Sequence, residues 1–66
     1  MKNLILNNGK IWNRNFLISG LIIPNFGSPR GGIRFDSKED AQLTIDSMPS
    51  NIAKDCKIIR DIWNIK

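Results

Sequence analysis

Arg30 stands inside Gly27-Ser28-Pro29-Arg30-Gly31-Gly32, the stretch of this chain best equipped for chemistry. Neighbouring glycines let backbone N–H groups converge into a concave nest that holds an anion. A guanidinium offers phosphate a two-pronged fork, and the Ser28 hydroxyl adds another donor. The pattern is not a P-loop: no Gly-Lys-Ser/Thr closes it, and a strand rather than a helix is expected to follow. The bland alternative is a long hairpin connection whose glycines merely turn the chain. Both readings stand, although a loop running from Pro24 to Gly32 is long for so small a domain, and long ordered loops tend to carry function.

Other residues could join it. Phe26, close to Arg30 in sequence, could stack on a base or could staple the loop to a sheet. Arg14, between Asn13 and Asn15, suits a phosphate contact or a solvated bend. Arg34 precedes the apolar Phe35 and so points to the opposite sheet face. If Arg14, Arg30 and Arg34 flank one end of a sheet, three guanidiniums converge. The candidate ligand-binding set is therefore Arg14, Phe26, Ser28, Arg30, Gly31, Gly32 and Arg34. Trp12 and Trp63 pose a related choice between core, dimer contact and base platform, and core or dimer contact is favoured.

Catalysis finds little to work with. The chain has no His, the usual general base near neutral pH. Asp36, Glu39, Asp40 and Asp46 fall at a helix start or along its solvent side. Cys56 lies between Lys54 and Lys57, which could lower its pKa, but a thiol nucleophile without His is improbable. One Cys and no His leave no tetrahedral zinc site, and a lone Cys allows no internal disulfide. The expectation is a non-enzyme without metal or cofactor, with Cys56 as a small buried hydrophobe at a strand start.

Charge points to the partner. Residues 1–35 contain no acid and five bases: Lys2, Lys10, Arg14, Arg30 and Arg34. All six acids of the chain lie from Asp36 onward, with five further bases. Such asymmetry favours an anionic partner: a nucleotide, a nucleic acid or an acidic protein surface. Sixty-six residues make a single domain over 1–66 with a marginal core, so oligomerisation, specifically a homodimer, is the expected support. Leu4-Ile5-Leu6 is too short for a signal peptide and Phe16–Ile23 too short for a membrane span. The expected location is the cytoplasm, with no membrane partner.

The elements that must position these residues follow from pattern. Asn8-Gly9 is a strong hairpin turn, pairing Leu6 with Ile11 and Ile5 with Trp12. Asn13-Arg14-Asn15 reads as a bend or the exposed end of the second strand. Phe16-Leu17-Ile18 and Leu21-Ile22-Ile23 are either two strands joined at Ser19-Gly20 or one buried strand with a glycine bulge. Residues 24–32 are loop and Ile33-Arg34-Phe35 a short strand. Ser37 caps a helix whose Ala41, Ile45 and Met48 form the buried stripe, and Pro49 stops it. A connector at Ser50–Asp55 leads to a last strand, Cys56–Trp63. The fold class is a small α+β domain, an antiparallel hairpin-rich sheet with one amphipathic helix, ordered β-β-β(-β)-α-β. The expected core is Leu4, Leu6, Ile11, Leu17, Ile22, Ile33, Phe35, Ala41, Ile45, Met48, Ile58 and Ile62.

The phrase Arg34-Phe35-Asp36-Ser37-Lys38-Glu39-Asp40-Ala41, with its following helix and Ile-rich strand, resembles the strand-to-helix junction of many very small proteins encoded by tailed phages. The resemblance spans Ile33 to Ile62, about half the chain, and Asp40 stands where Glu is usual. It implies an accessory protein that binds a host factor or signalling molecule without catalysis, and it carries over no site residues. Together these features favour stoichiometric binding of a phosphate-bearing ligand, most specifically a nucleotide signal of host immunity. The alternatives are an inhibitor that blocks a host nucleic-acid enzyme, a weak nucleic-acid binder and a small virion component.

Overall fold

Asn8 and Gly9 take φ of 52° and 79°, the doubly left-handed geometry that lets a two-residue turn match strand twist. They join β1 (Asn3–Asn7) to β2 (Lys10–Ile18), with Leu6 opposite Ile11 and Asn7 opposite Lys10. Ser19 and Gly20 repeat the device with φ of 51° and 80° and join β2 to β3 (Leu21–Gly27). Phe16–Ile23 is thus a hairpin and not one bulged strand. The computed structural model describes residues 2–63. Beyond β3 come a 3-10 turn (Pro29–Gly31), α1 (Lys38–Asp46), α2 (Ser50–Ala53) and β4 (Lys57–Arg60). The four strands form one antiparallel sheet in the order β3-β2-β1-β4, an α+β architecture.

Two sequence expectations about the strands are corrected. The loop expected from Pro24 is strand as far as Gly27, because β3 is the sheet's edge, where a residue without an N–H is tolerated. Asn13-Arg14-Asn15 is neither a bend nor a strand end but a bulge within β2, between Trp12 and Arg14. The extra residue, Asn13, accepts a hydrogen bond from Asn25 Nδ2 at 2.8 Å.

The bulge matters because β2 leaves β1 there. Past Ile11 the gap between the two strands is filled by residues 33–35. Ile33 N–H donates to Trp12 O at 3.1 Å, and Asn3 and Phe35 exchange both backbone bonds at 2.9 and 2.8 Å. The short strand expected at Ile33-Arg34-Phe35 is therefore reduced to a single bridge at Phe35.

α1 lies on β1 and β4. Ser37 Oγ accepts from Asp40 N–H at 3.1 Å, the expected N-cap, and Glu39 and Asp40 occupy the first turn, where the helix dipole favours negative charge. Ile5, Ala41, Ile45 and Met48 make the buried cluster, with Trp12, Phe26, Phe35, Ile52, Cys56 and Ile58 packed around it. Asn7 Nδ2 donates to Ile52 O at 3.3 Å and ties α2 to the sheet. Leu4 and Ile11, on the sheet's other face, are also fully buried.

A third of the expected core is elsewhere. Leu17, Ile22, Ile33 and Ile62 are exposed, whereas Ile5, left out of that expectation, is fully buried. For Leu17 and Ile22 the exposure reflects shape: the chain measures 40 × 21 × 18 Å, and the distal part of the β2–β3 hairpin extends past the helix that would cover it. No helix among the described residues is long and apolar enough to cross a membrane.

Candidate functional site

The chain from Ser28 to Arg34 crosses the sheet face that α1 does not cover. Gly32 seats this crossing: a Cβ there would overlap Ile11 Cγ2, a branched and fully buried methyl with no room to move. The glycine lets backbone lie directly on the core residue. Its φ of −70° is ordinary, so close approach and not unusual backbone explains the residue.

This arrangement corrects the anion nest. Gly31 N–H donates to Ser28 O and Gly32 N–H to Pro29 O, both at 3.2 Å, closing the 3-10 turn. Those donors are turned into the chain and do not converge on a ligand. Pro29 begins a helical turn favourably because its fixed φ suits the position, so Pro-Arg-Gly folds on itself.

What the crossing does build is a cleft of about 440 Å³ lined by Ser28, Pro29, Arg30, Arg34 and Trp63. Its size is within the range of small-molecule pockets, roughly 300–1,000 Å³. Three of the expected site residues, Ser28, Arg30 and Arg34, meet there. Arg30 is exposed and makes no ion pair among the described residues.

Arg34 is different. Its Nε donates to Asp61 Oδ2 at 2.7 Å, its Nη2 reaches Asp61 Oδ1 at 3.5 Å, and its Nη1 donates to Gly32 O at 2.9 Å. The Asp61 side chain is 1% exposed and that of Arg34 26%. Asp61 also accepts from Trp63 N–H at 3.1 Å, and its own N–H donates to Lys2 O at 3.0 Å. Arg34 therefore clamps the loop to the segment after β4, and its charge is compensated. The expected convergence of three guanidiniums reduces to one free cation, Arg30, among those lining the cleft.

Arg14 and Phe26 lie outside the cleft lining. Arg14 shares the sheet face that carries the loop, but its guanidinium carbon sits 5.7 Å from the centroid of Phe16. Phe26 is opposite Trp12 and packs on the α1 side, a staple and not a platform. Trp12 stacks on Phe35 at 5.8 Å and donates through Nε1 to Asn15 Oδ1 at 2.9 Å, which places it in the core layer.

Two participants fall outside the candidate set: Trp63, for which the sequence favours core or dimer contact, and Asp61. Trp63 follows the end of β4 instead of belonging to it, and its exposed indole lines the cleft. Asp61 is the counter-charge; the signal was a carboxylate among Ile58, Ile59, Ile62 and Trp63, where burial demands a partner. Cys56 packs against the core, with its Sγ 3.5 Å from Ile52 O and 3.8 Å from Met48 Sδ. Among the described residues no three His, Cys, Asp or Glu side chains group to hold a metal ion. A second cleft, about 370 Å³, lies by the Asn8-Gly9 turn with Lys54 and Lys57 on it, but Asp55 shares it and no aromatic ring lines it.

The chain matches no protein family, and it shows no significant similarity to curated proteins or to solved structures.

Proposed function

We propose that this protein binds a phosphate-bearing small molecule stoichiometrically, without catalysis, in the cleft between the 3-10 turn and the segment after β4. One observation carries the reading: an exposed guanidinium with no ion pair among the described residues, Arg30, and an exposed indole, Trp63, line the same cleft. Arg30 supplies the phosphate fork and Ser28 a hydroxyl donor. Trp63 supplies a π face for a base or another flat group. Arg34 holds the cleft open by fastening its two walls through Asp61. The acid-free half of the chain adds a favourable long-range field.

In its narrower form the ligand is a nucleotide signal and the protein a small phage-type accessory protein that sequesters it. The pairing of a phosphate fork with a stacking ring supports a nucleotide, which satisfies both ends.

Binding is tested by calorimetry and Trp fluorescence against pyrophosphate, nucleoside mono- and triphosphates, cyclic dinucleotides and single-stranded DNA. The expected outcome is saturable binding of one nucleotide per cleft, weakened about 10-fold or more in both Arg30→Ala and Trp63→Ala. Nucleotide binding indifferent to both substitutions overturns the reading. Binding only to DNA, with a steep loss of affinity as salt rises, replaces it with backbone-directed nucleic-acid binding.

A further inference from the structure

The distal β2–β3 hairpin carries six large apolar side chains in the open. Leu17 is 75% exposed, Leu21 65% and Ile18 54%, with Phe16, Ile22 and Ile23 near 40%. The register sorts them: Phe16 opposite Ile23 and Ile18 opposite Leu21 share one face, while Leu17 opposite Ile22 takes the other. Exposure of this kind on both faces of a ribbon is unlike the scattered apolar residues of an ordinary surface. Summed over the two faces it amounts to on the order of 500 Å² of apolar area, as much as the largest patch a monomer usually leaves open.

We infer that this arm is the self-association surface of the protein, and that the arms of two copies clasp each other so that both apolar faces are covered. Four observations select a second copy as the occupant. A two-stranded ribbon is marginal in water without further packing, so the arm is firmly ordered only when something covers it; a second copy is available wherever the chain is concentrated. Doubling the patch gives roughly 1,000 Å² of apolar area, the threshold of a specific interface before any polar rim is added. The only charged residue from Asn13 to Gly27 is Arg14, whose guanidinium lies over Phe16, so like charges do not oppose the contact. Pro24, in the middle of β3, lacks an N–H and interrupts strand addition along that edge, which favours association through the faces.

A lipid bilayer is the competing occupant of a protruding apolar hairpin. It is disfavoured because both outer edges of the ribbon carry unpaired backbone groups, which hydrocarbon does not tolerate. The inference goes beyond the ligand reading, and none of the six side chains lines the cleft.

The test is sedimentation equilibrium of the purified chain, from about 1 to 500 μM, with hydrogen exchange at both ends of that range. The expected result is a dimer of twice the 7.5 kDa chain mass, with amides of residues 16–23 protected only at the high concentration. Ile18→Lys on one face and Leu17→Lys on the other should each raise the dimer dissociation constant roughly 30-fold or more. Exchange in α1 reports whether each variant keeps its folded body. A monomer throughout the range overturns the inference. So does a dimer whose dissociation constant both lysine variants leave unchanged. A monomer that co-sediments with phosphatidylglycerol vesicles through this hairpin overturns it in favour of the bilayer.

Discussion

The helix-backed body and the hairpin arm are built from the same residue types, yet they treat them in opposite ways. In the body, Ile5 is fully buried under α1, and Leu4 and Ile11 are fully buried on the reverse face. In the arm, Leu17, Ile18 and Leu21 stand in solvent. Both regions begin from the same kind of left-handed turn and the same antiparallel pairing. The difference is the third layer. β1 and β4 lie beneath α1, while the loop closes the other side over Ile11; the bulge at Trp12/Arg14 sends the rest of β2 and β3 beyond either cover. Hydrophobic side chains are thus necessary for a core but do not themselves locate it.

The sharpest contrast is a matched pair of truncations. Ile5→Ala should destabilise the fold by about 3–4 kcal/mol, since it removes three packed carbons from the centre of the cluster. Ile22→Ala should cost under about 0.5 kcal/mol at protein concentrations low enough to keep the chain monomeric. Urea unfolding followed by far-ultraviolet dichroism measures both. Equal losses in the two variants would erase the distinction between body and arm.

Next in size is the clamp between loop and body. Asp61→Ala should cost about 2–4 kcal/mol, because it leaves Arg34 partly buried without its counter-charge and removes the acceptor for Trp63 N–H. Asp61→Asn, which keeps an acceptor, should cost less. The same urea titration reads the two. If Asp61→Ala proved neutral, the loop would be held by the Gly32–Ile11 contact and by the backbone bonds of Ile33 and Phe35 to Trp12 and Asn3.

The smallest effect is at the exposed edge of the body. Lys2 pairs with Asp36 and donates to its carboxylate, holding that carboxyl below the ordinary aspartate value of 3.8; the hydrogen bond is the leading cause and the Lys2 charge the next. A carboxyl whose pKa is depressed on folding contributes stability that is complete above its unfolded pKa and is lost as pH falls through the folded one. The contribution of Asp36 should therefore vanish only below pH 3.8. Carbon-13 NMR titration of its carboxyl should show the midpoint rise towards 3.8 in Lys2→Ala. An unmoved midpoint would mean that the pair does not persist in solution.

Much of the body was legible in advance. Asn8-Gly9 specified its turn and the Leu6–Ile11 pairing because both positions accept positive φ. Ser37, Ala41, Ile45, Met48 and Pro49 marked the cap, stripe and stop of α1 through local spacing. The candidate site was legible only in part. Ser28, Arg30 and Arg34 do meet, but Gly31 and Gly32 serve the 3-10 turn and the contact with Ile11, Phe26 faces the core, and Arg14 covers Phe16. Each of these outcomes depends on what lies across the sheet, and nearest-neighbour pattern carries no information about that.

By itself, the sequence determined the turns, the helix with its buried stripe, the α+β class and the charge asymmetry, all of which follow from backbone preference, periodicity and composition over a few residues. Only the tertiary structure decided which apolar strand residues are core, that Asp61 returns to neutralise Arg34, and that Trp63 joins Arg30 at one cleft. The last two join residues 27 and 33 positions apart. These decisions are made by a bulge, by a glycine seated on Ile11 and by the reach of one short helix, and no local interaction energy encodes them.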